Sequence, residues 1–199
     1  MLRSKTLLLF LLKAIIIYGL LSVPLSFYDD AYGTFYRKVS EIFFTNFREN
    51  GFVKFREWKE PATSHVNVGN KALIRPDGSA DTAAIDVNTR YLGYIPTILL
   101  TALVLASPVP WKRRLFALAA GLILVTFLIM LKQWIALLWL CEQHPFLQLT
   151  NFTDTGKKLL TFANSFISVT SSSVLYFVVA IWLLVTFRVD DFGIKKETK

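Results

Sequence analysis

Four long apolar segments constrain the fold of this chain more than any other feature of its sequence. They cover approximately residues 6–28, 91–108, 115–140 and 163–187. Each approaches or reaches the roughly 20 residues that a helix needs to cross a bilayer. Hydrophobic residues make up 54% of the 199 residues, more than an ordinary soluble domain of this size contains. The sequence therefore predicts an all-α membrane protein built on a four-helix transmembrane bundle.

The first apolar segment has one property of a secretory signal, because Arg3 and Lys5 precede it. Lys13 interrupts its apolar core, however, and no convincing small-residue cleavage site follows. We therefore expect the segment to be retained as the first span.

Basic residues beside the apolar segments predict the orientation of the spans, since lysine and arginine near a span stay on the cytoplasmic side. They precede the first segment, fill the turn after the second and follow the fourth: Arg3, Lys5, Lys112, Arg113, Arg114, Arg188, Lys195, Lys196 and Lys199. We expect an integral protein of the plasma or bacterial inner membrane with both termini in the cytoplasm. Residues 29–90 would then be extracytoplasmic.

The formal net charge of +8 does not indicate nucleic acid binding. The basic residues cluster beside apolar segments rather than along a polar helix or strand face, so membrane topology explains them better. Cys141 is the single cysteine, which excludes an intramolecular disulfide and a multi-cysteine metal site within one copy. We predict no metal site, no cofactor and no nucleic acid partner.

Residues 29–90 predict a small extracytoplasmic α/β cap between spans 1 and 2. Its first part predicts an amphipathic helix, with apolar residues at helical spacing and Gly51 able to end it: Tyr32, Phe35, Tyr36, Val39, Phe43 and Phe47. The later segments GFVKFREW, SHVNV with KALI, and TAAIDV alternate like two or three short strands. The chain thus divides into residues 1–28 with the first span, the cap at 29–90, and residues 91–199 with the other spans.

Lys132 and Gln133 stand inside the third apolar segment, where a central lysine costs roughly 2.5 to 3.5 kcal/mol. No aspartate or glutamate lies within the four segments to offset that cost. Hydroxyl and amide side chains of the second and fourth segments are expected at a similar depth, and Arg90 is expected to reach them from the end of the cap. The hypothesis is a polar outer-leaflet cavity that binds a lipid phosphate, an anionic substrate or water. Its members are Lys132, Gln133, Thr97, Thr101, Asn164, Ser168, Ser171 and Arg90.

Cys141 and His144 are weaker candidates for catalytic residues. They stand three residues apart, so the histidine would reach the thiol if one helix contained both. Pro145 makes such a helix doubtful, and the same residues form an ordinary polar helix end. The catalytic set therefore stays unknown.

The sequence favours a non-catalytic integral-membrane subunit, or an assembly factor, of a larger membrane complex. Its expected partners are membrane lipids and other subunits, which would supply the counter-charge for Lys132. One alternative is a membrane enzyme that acts on a lipid-linked or peptide substrate at the extracytoplasmic face. Another is a small anion or lipid transporter, although no internal repeat relates two halves of the chain.

Overall fold

Helices form most of the structure, a computed structural model that describes residues 4–23, 25–58, 62–168 and 173–186. Within these ranges the α-helices are α1 (Ser4–Ser22), α2 (Leu25–Phe44), α3 (Ile95–Ala106), α4 (Trp111–Gln143), α5 (Asp154–Ser168) and α6 (Ser173–Thr186). The strands are β1 (Gly51–Glu57), β2 (Thr63–Asn70) and β3 (Thr82–Asn88). A π-helical turn, Arg90–Tyr94, leads directly from β3 into α3.

The strands form an antiparallel sheet in the order β1-β2-β3, in which Phe55 pairs with Val66 and Val66 with Ile85. Successive side chains point to opposite faces of a strand. Phe55, Val66 and Ala83 are accordingly buried on the inner face, while Lys54 and Arg56 are exposed on the outer face. The strands coincide with GFVKFREW, SHVNV and TAAIDV, whereas KALI, predicted with the second strand, begins with a 3₁₀ turn at Lys71–Leu73.

The four-span, all-α bundle predicted from the sequence is wrong. In the described part of the chain one helix, α4, is long and apolar enough to cross a membrane, by length and composition. The other apolar helical segments are shorter, at Leu7–Ser22, Arg90–Ala106 and Val174–Thr186. Together with the sheet they make a mixed helix and sheet fold.

The prediction failed because apolar composition does not show where a helix ends. Pro24 follows α1 in the sequence, and Pro108 and Pro110 follow α3. Proline lacks the backbone donor that a continuing helix requires. Within the fourth predicted span the structure describes the end of α5, up to Ser168, and α6, from Ser173.

Helix α2 packs one face against the inner face of the sheet and against α4. Its buried residues include Tyr36, Ser40 and Phe44, and Phe47 is buried just beyond its end. The Phe44 and Phe47 rings lie 5.8 and 5.4 Å from the Trp134 ring of α4. Phe35 and Phe43, expected on the apolar face, are 53% and 51% exposed.

The helix also lies earlier than predicted, since α2 ends at Phe44 and Gly51 begins β1. Apolar residues on both sides of α2 made its buried face ambiguous in the sequence.

The opposite end of α4 packs against α3 and α6, and α1 packs against α3. The Phe10 and Trp182 rings stack at 5.3 Å, and Trp182 Nε1 donates a 2.8 Å hydrogen bond to Ser107 Oγ. The sheet therefore lies beside the C-terminal half of α4, and the short apolar helices lie beside its N-terminal half.

Candidate functional site

A buried polar contact joins α2 to α4 at Gln133. The Tyr36 hydroxyl donates a 3.0 Å hydrogen bond to Gln133 Oε1. Gln133 is only 2% exposed, and its Nε2 is buried without a hydrogen-bond partner. Burial raises the pKa of the Tyr36 phenol above its ordinary value, so this hydroxyl stays protonated as a donor.

Lys132 and Gln133 line a crevice of about 240 Å³ between α4, β3 and the π-helical turn. The other residues that line it are Ile85, Asp86, Val87, Asn88, Tyr91, Leu92 and Ala136. The half-buried Lys132 thus lies at this crevice beside the end of β3, while the Asp86 carboxylate is directed to His65 on the other face of the sheet.

Asp86 also contacts a histidine on the neighbouring strand. His65 Nδ1 and Asp86 Oδ1 lie 2.6 Å apart, and the Trp58 ring stacks on the imidazole at 4.4 Å with an interplanar angle of 15°. The register places His65 opposite both Asp86 and Arg56. The pairing of β2 with β3 brings His65 and Asp86 together, and their separation of 21 residues in the sequence does not predict the contact.

The other members of the predicted cavity do not line this crevice. The hydroxyls of Thr97 and Thr101 donate 2.8 Å hydrogen bonds to the carbonyls of Gly93 and Thr97 in the same helical segment. Arg90 belongs to the π-helical turn, and Asn164 is half-buried on α5.

Two predicted members of the cavity fall at or beyond the described end of α5. Ser168 ends α5, but its side chain lies outside the described ones, and Ser171 lies outside the described residues. The described structure therefore brings together Lys132 and Gln133 from the predicted set.

Cys141 lies at a second cavity, of about 430 Å³, at the C-terminal end of α4. Glu142 and Lys157 form a 2.8 Å ion pair at its rim. A hydrogen bond from Lys157 to Glu142, together with the carboxylate charge, raises the pKa of the Lys157 ammonium. Cys141 itself is 1% exposed.

The helix that would bring His144 over Cys141 ends at Gln143. The His144 backbone N–H donates to the carbonyls of Leu140 and Cys141, and its ring lies against Phe146. Among the described residues no hydrogen bond joins the imidazole to the thiol. A buried thiol without a neighbouring base behaves as a small apolar side chain.

Across the ranges that the structure describes, no group of three or more histidine, cysteine, aspartate or glutamate side chains is placed to hold a metal ion. No family model, curated protein or solved structure matches the chain.

Proposed function

We propose that this protein is a membrane-associated, non-catalytic subunit or assembly factor of a larger complex. The observation that carries the proposal is the apolar surface of its helices. On α1 the exposed large apolar side chains are Leu7, Leu8, Leu9, Leu11, Leu12, Ile15, Ile16 and Leu20. Phe116 and Ile123 on α4 and Leu184 on α6 are each 70% exposed or more. Soluble monomers rarely expose contiguous apolar surface beyond a few hundred Å².

Helix α4 is the anchor in this proposal. Its 33 residues extend roughly 50 Å, longer than the hydrocarbon thickness of a bilayer. Lys112, Arg113 and Arg114 stand at its beginning, and the sheet packs beside its other half. The positive-inside rule then favours a cytoplasmic N-terminus for α4 and an extracytoplasmic position for residues 29–90. A cytoplasmic position for both the N-terminus and the C-terminus required an even number of spans. It is not part of the proposal.

The outer stripe of α2 supports a protein partner. Phe35, Ile42 and Phe43 recur at helical spacing on the face turned away from the sheet, and Ile42 is 75% exposed. The opposite face of α2 is already buried against β1 and α4. Aromatic residues are enriched at interface cores, so this outer stripe is the expected subunit contact.

The membrane part of the proposal is tested by cell fractionation of the natural protein. We expect it in the membrane fraction, resistant to extraction by alkaline carbonate and released by mild detergent. Recovery in the soluble fraction would contradict it.

The partner part is tested by mass spectrometry of the intact assembly in mild detergent. We expect another protein in fixed stoichiometry with the wild type. The double variant Phe35→Ser/Phe43→Ser should lose it, whereas the control Lys38→Gln/Glu41→Gln, on exposed polar positions of α2, should retain it. A wild-type protein that purifies as a monomer free of other proteins would overturn the subunit proposal.

The crevice around Lys132 is proposed as part of the assembly contact. Replacing Lys132 with Met removes the charge and keeps much of the side-chain length, so assembly should weaken if the ammonium contributes to it. Leu131→Met, at the exposed neighbouring position of α4, is the control. Equal assembly of both variants and the wild type would exclude this role for Lys132.

A further inference from the structure

The outer face of the sheet carries a basic groove of about 560 Å³. Three cationic side chains line it, Lys54 and Arg56 from β1 and Lys71 from the turn after β2. The remaining lining residues are Phe52, Asn67, Ile74, Gly78, Ala80 and Thr82. None of the lining residues is acidic. The groove has the volume of an ordinary small-molecule site, and its excess charge is positive.

The loop from Lys71 to Thr82, which forms one wall of the groove, is held by its own contacts. Arg75 Nη2 donates hydrogen bonds of 2.8 and 2.9 Å to the two carboxylate oxygens of Asp81. Asp77 Oδ1 accepts bonds from the Ser79 backbone N–H and hydroxyl at 2.9 and 2.6 Å. The Asp81 charge is thereby directed to Arg75 and away from the groove.

The three groove cations form no ion pair with a carboxylate in the described part of the chain. Lys54 instead places its ammonium 5.4 Å from the centre of the Phe52 ring. The ring also lies against Gly69, where an added Cβ would approach the Phe52 Cζ to 2.4 Å. The Lys54 ammonium and the Gly69 backbone thus both lie close to the ring, which argues against a stacking platform for a nucleobase or a sugar.

The spacing of the cations indicates the kind of anion that fits. Lys54 and Arg56 are alternate residues of one strand, so their Cα atoms are roughly 6.6 Å apart. Lys71 follows the end of β2 that pairs with Gly51, which places it beyond Lys54 on the side away from Arg56. The charges thus follow one line along the groove. A single carboxylate would neutralise one of them and leave two unmatched.

We propose that this basic groove binds a ligand that carries two or more phosphate groups. Each phosphate monoester carries about −1.5 to −2 charges at neutral pH, so two of them match the three cations. The Arg56 guanidinium offers a bidentate fork to one phosphate, and the lysine ammonium groups act as point charges. The proposal does not depend on the proposed function, because the groove lies on the sheet face opposite α2 and α4.

The test uses the full chain in mild non-ionic detergent and inorganic pyrophosphate as the soluble probe. Isothermal titration calorimetry should give saturable binding that weakens as sodium chloride is raised. In Lys54→Gln/Arg56→Gln the affinity should fall about tenfold or more, since charged hydrogen bonds are lost. The control Lys38→Gln/Lys158→Gln removes the same charge from exposed helix positions and should bind within about twofold of the wild type. Unchanged thermal unfolding of both variants shows that the fold is retained.

A second arm distinguishes a soluble ligand from a lipid headgroup. Flotation is measured with vesicles of phosphatidylcholine alone and with vesicles that also contain a bisphosphorylated inositol lipid. Flotation that requires both the inositol lipid and the side chains of Lys54 and Arg56 would support the proposal, with a lipid headgroup as the ligand. Pyrophosphate binding without flotation would support it with a soluble ligand. Binding of neither probe through Lys54 and Arg56 would overturn the proposal. If a glutamate-rich peptide displaced pyrophosphate as effectively as unlabelled pyrophosphate does, the proposal would also be overturned. The ligand would then be an acidic protein segment.

Discussion

The Tyr36 hydroxyl and the Gln133 carboxamide oxygen lie 3.0 Å apart in a hydrogen bond that joins α2 to α4 across 97 residues of sequence. Both side chains are almost fully buried, and Gln133 Nε2 has no other partner. The contact therefore provides the only hydrogen bond that the described structure gives to the Gln133 side chain. It also fixes the face that α2 presents to the core.

Tyr36→Phe should destabilise the protein by about 1–3 kcal/mol, because it leaves both polar ends of the buried Gln133 amide unpaired. Thermal unfolding followed by circular dichroism measures the loss. Replacing the exposed Tyr176 with Phe is the control and should change stability by about 0.5 kcal/mol or less. Tyr36→Phe/Gln133→Leu should recover part of the loss, since an apolar pair needs no hydrogen bond. Equal stability of the Tyr36→Phe variant and the wild type would contradict this account.

Asn70→Ala should loosen the attachment of the sheet to the segment after α4. Asn70 Nδ2 donates a 2.8 Å hydrogen bond to the Leu147 carbonyl, and its Oδ1 accepts one from the Ala72 N–H. We expect a loss of about 1–3 kcal/mol and faster hydrogen exchange in residues 71–74 and 145–149. Asn46→Ala, at an exposed position, should leave exchange there unchanged. Unaltered exchange in the Asn70→Ala variant would show that the bond does not hold the sheet in place.

Gly121→Ala should disturb the contact between α3 and α4. A Cβ at this position would lie 2.9 Å from Leu100 Cδ2, and Leu100 is fully buried. We expect a destabilisation of about 1–3 kcal/mol by overpacking, reduced when Leu100→Val supplies space. Gly19→Ala is the matched control, because nothing lies within 4 Å of the added Cβ and alanine favours a helix by up to about 1 kcal/mol. If the Gly121 variant is no less stable than the Gly19 variant, the helices do not depend on this close approach.

The stability of the protein should fall in alkaline solution as Tyr32 ionises. Burial raises the pKa of the Tyr32 phenol from 10.0 to about 12, although a hydrogen bond with Thr97 partly opposes the shift. Because the folded pKa lies above the unfolded one, the contribution is complete below pH 10 and is lost as the pH rises towards 12. A shift of this size corresponds to a loss on the order of 2 kcal/mol.

This alkaline loss is measured by unfolding the wild type and Tyr32→Phe at several values of pH between 8 and 12, within the window set by the Tyr32 pKa. The variant should show a smaller loss, since it has no phenol at this position. Phe35→Leu, an exposed change on the same helix that removes no phenol, should follow the wild type. Parallel pH dependence of Tyr32→Phe and the wild type would exclude Tyr32 as its source.

The strand segments were predictable from the sequence to a larger extent than the helices. The alternation in GFVKFREW and TAAIDV depends only on which side chains are apolar, and a strand converts that order directly into two faces. Helix α2 was predicted as a helix, but its buried face was not, because Phe35 and Phe43 are as apolar as Phe44 and Phe47. Which aromatic rings are buried depends on where Trp134 lies.

The candidate site was predictable in part, at the level of single residues. Lys132 and Gln133 were conspicuous because they interrupt an apolar run, and the structure places both at one crevice. The hydroxyls of Thr97 and Thr101 were expected to face that cavity, but they donate to backbone carbonyls one turn earlier, as serine and threonine often do in helices. The basic groove was missed because Lys71 joins Lys54 and Arg56 along one groove only when β1 and β2 pair.

The sequence by itself determined the local patterns: the alternation of the three strands, the helical periodicity of α2 and the apolar character of the remaining helices. The tertiary structure alone decided the partners, including Asp86 on His65, Tyr36 on Gln133 and the arrangement of Lys54, Arg56 and Lys71 along one groove. It also decided that α4 is the one described helix of spanning length. The physical reason is that periodicity specifies which side chains share a face of one element, whereas burial, hydrogen bonding and charge compensation depend on the second element that packs against it.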